Sequence, residues 1–329
     1  MKRLSALLVV GVLLTGCAAS PSTRYEASFL DLFDTVTTIV GYAASEAEFR
    51  ETAQNIHDEL LEYHRLFDIY RDYDGLNNLK TVNDNAGVQP VPVDGRIIDL
   101  LNDCRAYWEL TDGAVNAAMG SVLSLWHEAR TGGVSLPDPD ALAEAAKHCD
   151  FSDVMLDEAA SAVYLNDPAM RLDVGAVAKG WAVEQVCTNL PAGLLVSVGG
   201  NVCATGPKPN GDVWQVGVQD PDGAGNLCTV PITTGCVVTS GDYQRFYTVD
   251  GETYHHLIDP VTGYPARYWK AVTVICGDSG LADALSTALF VLPQTAGENL
   301  LEAVDAAAMW VTADGTVCYS PNFWKEVRM

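Results

Sequence analysis

Cationic side chains are scarce in this 329-residue chain: 19 Lys and Arg stand against 43 Asp and Glu, a formal net charge of −24. That balance excludes nucleic acid as a partner, because phosphate binding is dominated by Lys and Arg. No window approaches the roughly 18 continuous apolar residues that a membrane-spanning helix needs. The nine cysteines show no CxxC spacing, so a paired zinc knuckle is absent. No G-x-S-x-G elbow and no Walker A loop occur, and no period signals repeats. What is present is a chain 48% hydrophobic, too apolar to be disordered. Its length allows one large domain or two small ones, and since no composition break divides it, one domain with lobes is expected.

The N-terminus reads as an address rather than as fold. Lys2 and Arg3 form a positive start, Leu7 to Leu14 an apolar stretch too short to span a bilayer, and Leu14-Thr15-Gly16-Cys17 stands at the cleavage position. The tetrapeptide resembles a bacterial lipobox, which makes Cys17 the lipidated first residue of the mature chain. The competing reading is an ordinary buried N-terminal helix. Residues 1–16 are therefore expected as a signal peptide, 17–28 as a lipid-anchored tether and 29–329 as the folded domain. On this reading the protein is exported and anchored to the outer face of the cytoplasmic membrane, the periplasmic side where an outer membrane exists.

Eight cysteines follow Cys17. An even number in an exported protein suggests disulfides, but Cys187 and Cys276 lie in apolar runs, where cysteine serves as a small hydrophobe. Buried thiols are the favoured reading.

The coarse pattern is α+β. Residues 29–43, rich in β-branched and aromatic side chains, predict a strand. Ser45 to Glu48 fits a capping box, and Phe49, Ala53, Ile56, Leu60, Tyr63 and Phe67 predict an amphipathic helix of about five turns. A loop is expected over 72–95, a helix over 96–110, and a helix from Asp138-Pro139 to about 149. Short strands follow at 162–166, 171–174, 194–198, 214–219, 227–233, 245–249 and 271–276. Helices are expected over 177–190 and 281–304, the second broken at Pro293.

Four segments place polar residues inside apolar, structured stretches. Leu172 to Gly180 (LDVGAVAKG) passes from strand to helix, where a glycine admits a ligand and free amides favour an anion. Taken alone it is equally a solvent-facing turn. Val198-Gly199-Gly200-Asn201 ends a strand in a turn that hairpins use widely. Thr239-Ser240-Gly241-Asp242, with His256 and Asp259 downstream, supplies the residue types of a hydrolytic triad, yet Asp259 to Gly263 also reads as a plain turn. Asp283 and Thr287, four apart on an Ala/Leu helix, put two oxygens on one face and suit Mg²⁺. A helix cap and a back-bonded threonine would use the same residues.

In order, these segments resemble the ApbE-type FAD:protein FMN transferase family. Phe33-Asp34-Thr35, Phe67 to Tyr70, Asn83, Asp112 to Asn116, Trp214 to Pro221 and Ala282 to Thr287 extend the likeness across nearly all the mature chain. The resemblance implies a mixed α/β, T-fold-like domain with an FAD site in a cleft between lobes. It implies FAD as substrate, Mg²⁺ as cofactor and FMN passed to a threonine of a partner flavoprotein, a subunit of a membrane electron-transfer complex, with release of AMP. Carried onto this sequence, it makes Asp283, Thr287, the carbonyl of Ala176 and Ser286 the metal set. Phe33, Tyr70, Asp173, Lys179 and Ile258 become flavin and ribityl contacts, and Ala114, Val115 and Asn116 lie near the adenosine. His256 is the functional histidine. The chain departs from the family pattern at Phe33-Asp34, at Asn116 where Asp is common, and at Trp181 where Tyr is frequent. Three rivals remain: an FAD pyrophosphatase using the same site, a solute-binding lipoprotein and a surface serine hydrolase.

Overall fold

Alternating exposed and half-buried residues, with Tyr25, Ala27 and Phe29 turned to the core, open the described part of the chain, residues 22–323 of a computed structural model. The expected signal segment and Cys17 lie outside those residues. The stretch expected as one strand over 29–43 is a hairpin, β1 (Thr23–Leu32) and β2 (Thr35–Ala43), paired from Thr23↔Ala43 to Leu32↔Thr35. Phe33 and Asp34 both adopt φ 51°, the mirror-turn geometry of a two-residue hairpin, without the glycine that announces one. Thr23 to Ser28, expected as tether, belong to β1, where pairing with β2 satisfies backbone groups that a free linker leaves to water.

The helix predicted after Ser45 is α1 (Glu46–Phe67), its first turn capped by Glu48 N–H on Ser45 Oγ at 3.2 Å. The expected loop over 72–95 contains α2 (Leu79–Asp84), capped by Asn78, and the short β3 (Val91–Pro92). Then come α3 (Gly95–Leu110), α4 (Gly120–Gly132), which the sequence pattern did not announce, and α5 (Pro139–Ala145) behind its Asp138 cap. β4 (Val154–Asp157) and β5 (Ala162–Leu165) complete a small sheet with β3. The strand expected over 171–174 is irregular: Arg171 makes one isolated bridge to Met119, and the buried Asn83 side chain exchanges two hydrogen bonds with the backbone of Leu172, at 2.9 and 2.7 Å.

After α6 (Ala178–Thr188) the chain lays down β6 (Leu194–Val198), β7 (Asn201–Ala204), the hairpin β8 (Trp214–Gln219) and β9 (Asn226–Ile232), and β10 (Gly235–Gly241). It continues through β11 (Phe246–Val249), β12 (Glu252–His255), β13 (Ala271–Cys276), α7 (Ser279–Val291), α8 (Gln294–Leu301), β14 (Ala306–Val311) and β15 (Val317–Tyr319). Pro293 divides α7 from α8, as expected from its missing N–H.

Eight strands form one antiparallel sheet in the order β1-β2-β6-β7-β10-β13-β14-β15. β13 and β14 are buried at every position, because both faces of the sheet are covered. Helices α1, α3, α6 and α7 close one face over the largest core, and β8–β9 closes the other. A smaller core joins α4 and α5 to β11–β12 through Met119, Trp126, Leu142, Tyr247 and Ile258. The α+β expectation holds, with these two parts as lobes.

Candidate functional site

Antiparallel pairing brings the turn at Phe33-Asp34, the Gly199-Gly200 turn and the C-terminal end of β10 to one end of the sheet. Gly199 N–H donates to Val36 O and Thr239 N–H to Gly200 O. Helices α6 and α7 cross behind this end at close quarters: a Cβ on Gly180 would fall within contact of the Ser279 carbonyl and of Asp283 Cβ. Gly180 N–H instead donates to Asp283 Oδ2 at 2.9 Å, and Lys179 Nζ stands 3.5 Å from the same oxygen.

Asp283 is 3% exposed, and burial holds its carboxyl above the usual range, opposed by Lys179 and the Gly180 amide. Its neighbour Asn201 is 1% exposed, and the Asn201 Oδ1 atom has no hydrogen-bond partner. A buried carboxylate, an amide oxygen without a donor and the half-buried Thr287 one turn on are hard oxygen ligands that fit Mg²⁺. Ser286 is placed differently. Its hydroxyl bonds Asp283 O at 2.9 Å and Ser240 Oγ at 2.8 Å, so it fastens α7 to β10. Ala176 is half-buried in the loop entering α6, and Lys179 Nζ reaches back to Gly175 O at 3.3 Å.

The tandem histidines divide cleanly. His255 is buried, its Nε2–H donating to Ala266 O at 2.8 Å while Nδ1 accepts from Leu257 N–H at 3.2 Å. His256 faces the cleft, with Nδ1 on Arg245 O at 3.3 Å, which leaves Nε2 as the acceptor. Desolvation, then the charges of Arg245, Lys179, His255 and Arg130, push its pKa down to about 3, so it is neutral at physiological pH. Ser240 bonds Ser286, and Asp259 Oδ1 accepts from Val261 N–H at 2.8 Å in its own turn; no hydrolytic triad is assembled.

Two residues that sequence reasoning missed complete the cleft. Arg130 from α4 lies close enough to Arg245 that its pKa is lowered by burial first and by the Arg245 charge second. Neither has a carboxylate at ion-pair distance among the described residues, although Asp173 feels both. Arg245 also spans to Phe33 O and Asp34 O, at 3.4 Å each. The only sequence signal was that these are two of 19 cations in an acidic chain.

Tyr70 stacks on His127 with ring centroids 4.9 Å apart, and the residue is 55% exposed. Its hydroxyl turns inward to His127 Nδ1 at 3.4 Å, and desolvation with the nearby Asp173 carboxylate pushes it up to about 12. Asp173 is held by Gly175 N–H at 2.9 Å, and burial raises its pKa. Phe33 meets His64 edge-on, and its N–H donates to His64 Nδ1 at 3.1 Å. The remaining expected contacts are structural in their side chains. Val115 and Ile258 are buried in cores, Asn116 bonds Cys149 O and Ala118 N, and Ala114 is half-buried. Surface hollows bordered by Gly95, Asp99 and Asn102, or by Ser121, Glu144 and His148, gather no comparable constellation.

Comparison with known proteins bears on the family and the fold. The chain is 38% identical over 273 residues to a protein of Treponema pallidum (strain Nichols) called FAD:protein FMN transferase, covering 76% of this chain and 75% of that one. A Klebsiella pneumoniae (strain 342) protein of the same description is 32% identical over 281 residues, covering 80% and 86%. The solved ApbE protein of Thermotoga maritima superposes with a TM-score of 0.85 at 30% identity, covering 93% of this chain and all of that one. The flavin transferase ApbE of Vibrio cholerae shares the fold, with a TM-score of 0.79 at 23% identity and coverage of 93% and 99%. With the ApbE family profile matching residues 33–310 as well, the chain belongs to the ApbE family.

Proposed function

We propose that the protein is a Mg²⁺-dependent FAD:protein FMN transferase that joins FMN from FAD, through a phosphoester, to a threonine of a partner flavoprotein and releases AMP. The observation that carries this reading is the neutral His256 ringed by Arg130, Arg245 and Lys179 beside a buried Asp283. Three cations around a proton acceptor, two of them without a carboxylate partner among the described residues, suit an anionic diphosphate substrate and a hydroxyl nucleophile.

Asp283, Thr287 and the Ala176 carbonyl would hold Mg²⁺, which when bound neutralises charge on the pyrophosphate oxygens. Arg130 and Arg245 bind those oxygens, and Tyr70 offers its ring to the flavin. His256 Nε2 takes the proton of the acceptor hydroxyl as its oxygen bonds the FMN phosphorus, and the bridging P–O bond breaks with its electron pair leaving on AMP. The Arg245 carbonyl fixes the tautomer that leaves this atom as the proton acceptor.

The partner on this reading is a subunit of a membrane electron-transfer complex, met outside the cytoplasmic membrane by an enzyme anchored through Cys17. Incubation with FAD, Mg²⁺ and an acceptor bearing the target threonine, followed by in-gel flavin fluorescence and mass measurement, is expected to show FMN on the acceptor. FMN appearing only in solution would make the protein an FAD pyrophosphatase instead. Asp283→Ala is expected to lower transfer by at least about a hundredfold, the scale of losing a preorganised charge-stabilising group; full labelling by that variant would end the metal assignment.

A further inference from the structure

Behind the cleft, one turn beyond Gly180, the α6 residue Glu184 turns its carboxylate toward the sheet. That carboxylate and the thiols of Cys203 on β7 and Cys236 on β10 offer three ligand atoms, all within 4.8 Å of one another. Cys203 and Cys236 are direct partners across the antiparallel pair, and both belong to the helix-side core. Cys187, three residues after Glu184 on α6, is a neighbour of Cys203 as well. The three thiols are 7%, 4% and 0% exposed for Cys187, Cys203 and Cys236, so these donors are sealed between helix and sheet.

We propose that this cluster is a second metal site, one that binds a borderline-soft divalent cation such as Zn²⁺ through Cys203, Cys236 and Glu184, with Cys187 as the fourth donor. Thiolate and carboxylate donors in a tetrahedral set are the ligands that Zn²⁺ selects. With Zn–S bonds of about 2.3 Å, tetrahedral donors stand roughly 3.8 Å apart, within the span of this cluster. Binding releases the thiol protons to water and leaves the carboxylate paired with the ion.

A disulfide between Cys203 and Cys236 accounts for less. Directly opposed residues on antiparallel strands hold their Cβ atoms about 4.5–5.5 Å apart, against about 3.8 Å in a disulfide. Glu184 also accepts from Ser279 N–H at 2.7 Å in the first turn of α7. An ion here therefore ties α6, β7, β10 and α7 together behind Asp283 without touching the proposed substrate.

Cobalt titration of the reduced, full described chain tests the site independently of flavin transfer. One equivalent of Co²⁺ is expected to give thiolate-to-cobalt charge-transfer absorption with tetrahedral d–d bands, and to protect three thiols from a thiol reagent. An Asp283 site has no sulfur and cannot produce that band. Cys203→Ser and Cys236→Ser are expected to lose it, whereas Cys104→Ser, in α3, keeps it. If the serine variants fail to fold, the wild-type titration and thiol count still decide. Folded, reduced protein without charge transfer overturns the proposal, as does an unreduced chain lighter by two hydrogens whose disulfide maps to Cys203 and Cys236.

Discussion

Phe33 holds a left-handed backbone at φ 51°, a conformation that costs a non-glycine residue roughly 1–2 kcal/mol. Its ring meets His64 at the mouth of the cleft, which is where such strain is retained when the side chain has a task. Phe33→Gly relieves the backbone but removes the ring and adds glycine's chain entropy. The net change in stability is expected to stay within about 1 kcal/mol, while FAD affinity falls; a thermal melt and a flavin titration read the two separately. His255 gives a pH signature of its own. Burial, and then the Arg267 charge, push its pKa down to about 4 from 6.5 despite the Ala266 hydrogen bond. The unfolded chain therefore binds the proton first. Stability is complete above about pH 6.5 and falls by about 1.4 kcal/mol per unit as pH drops toward 4. His255→Gln is expected to flatten that slope in melts run from pH 7 to pH 4.5. His256 was legible by its place before Asp259, but Arg130 and Arg245 were not, since what distinguishes them is the lack of a carboxylate partner, a property of space rather than of sequence.

At the scale of elements, the site depends on how closely α6 approaches α7. Gly180 sits at the crossing, where its missing Cβ lets the amide reach Asp283 Oδ2. Gly180→Ala must separate the helices, and is expected to lose about 1–3 kcal/mol of stability, the range for overpacked cores. The same variant should weaken Mg²⁺-dependent FAD binding beyond what its stability predicts. A variant with wild-type affinity and a lowered melting temperature would show that the crossing serves packing alone. Helix α1 and the α7–α8 break were readable, because caps, 3.6-residue spacing and proline are local. The turn inside 29–43 was not, since neither Phe33 nor Asp34 is a glycine and apolar residues before it run on into β-branched ones after it. α4 escaped notice for a related reason: Met119 provides no side-chain cap, and its buried positions are few.

Across the whole molecule, a formal charge of −24 repels an anionic substrate, so affinity rests on local cations. Chelating Mg²⁺ is expected to raise the FAD dissociation constant by at least about tenfold, the weight of one strong charge interaction at roughly 1.4 kcal/mol. Calorimetry with and without a chelator measures it. An unchanged constant would assign the binding to Arg130, Arg245 and Lys179 alone. No described helix is long and apolar enough to cross a membrane. Sequence by itself determined the α+β class, the family resemblance and the Asp283–Thr287 face, and it singled out His256 as a candidate, because caps, periodicity and motif order act over a few residues. Only tertiary structure decided that β1 begins at Thr23, that Ser286 braces α7, that Ile258 and Val115 are core, and that Arg130 and Arg245 converge across more than a hundred residues. Pairing, burial and charge neighbourhood are set by distant segments, and no local pattern encodes them.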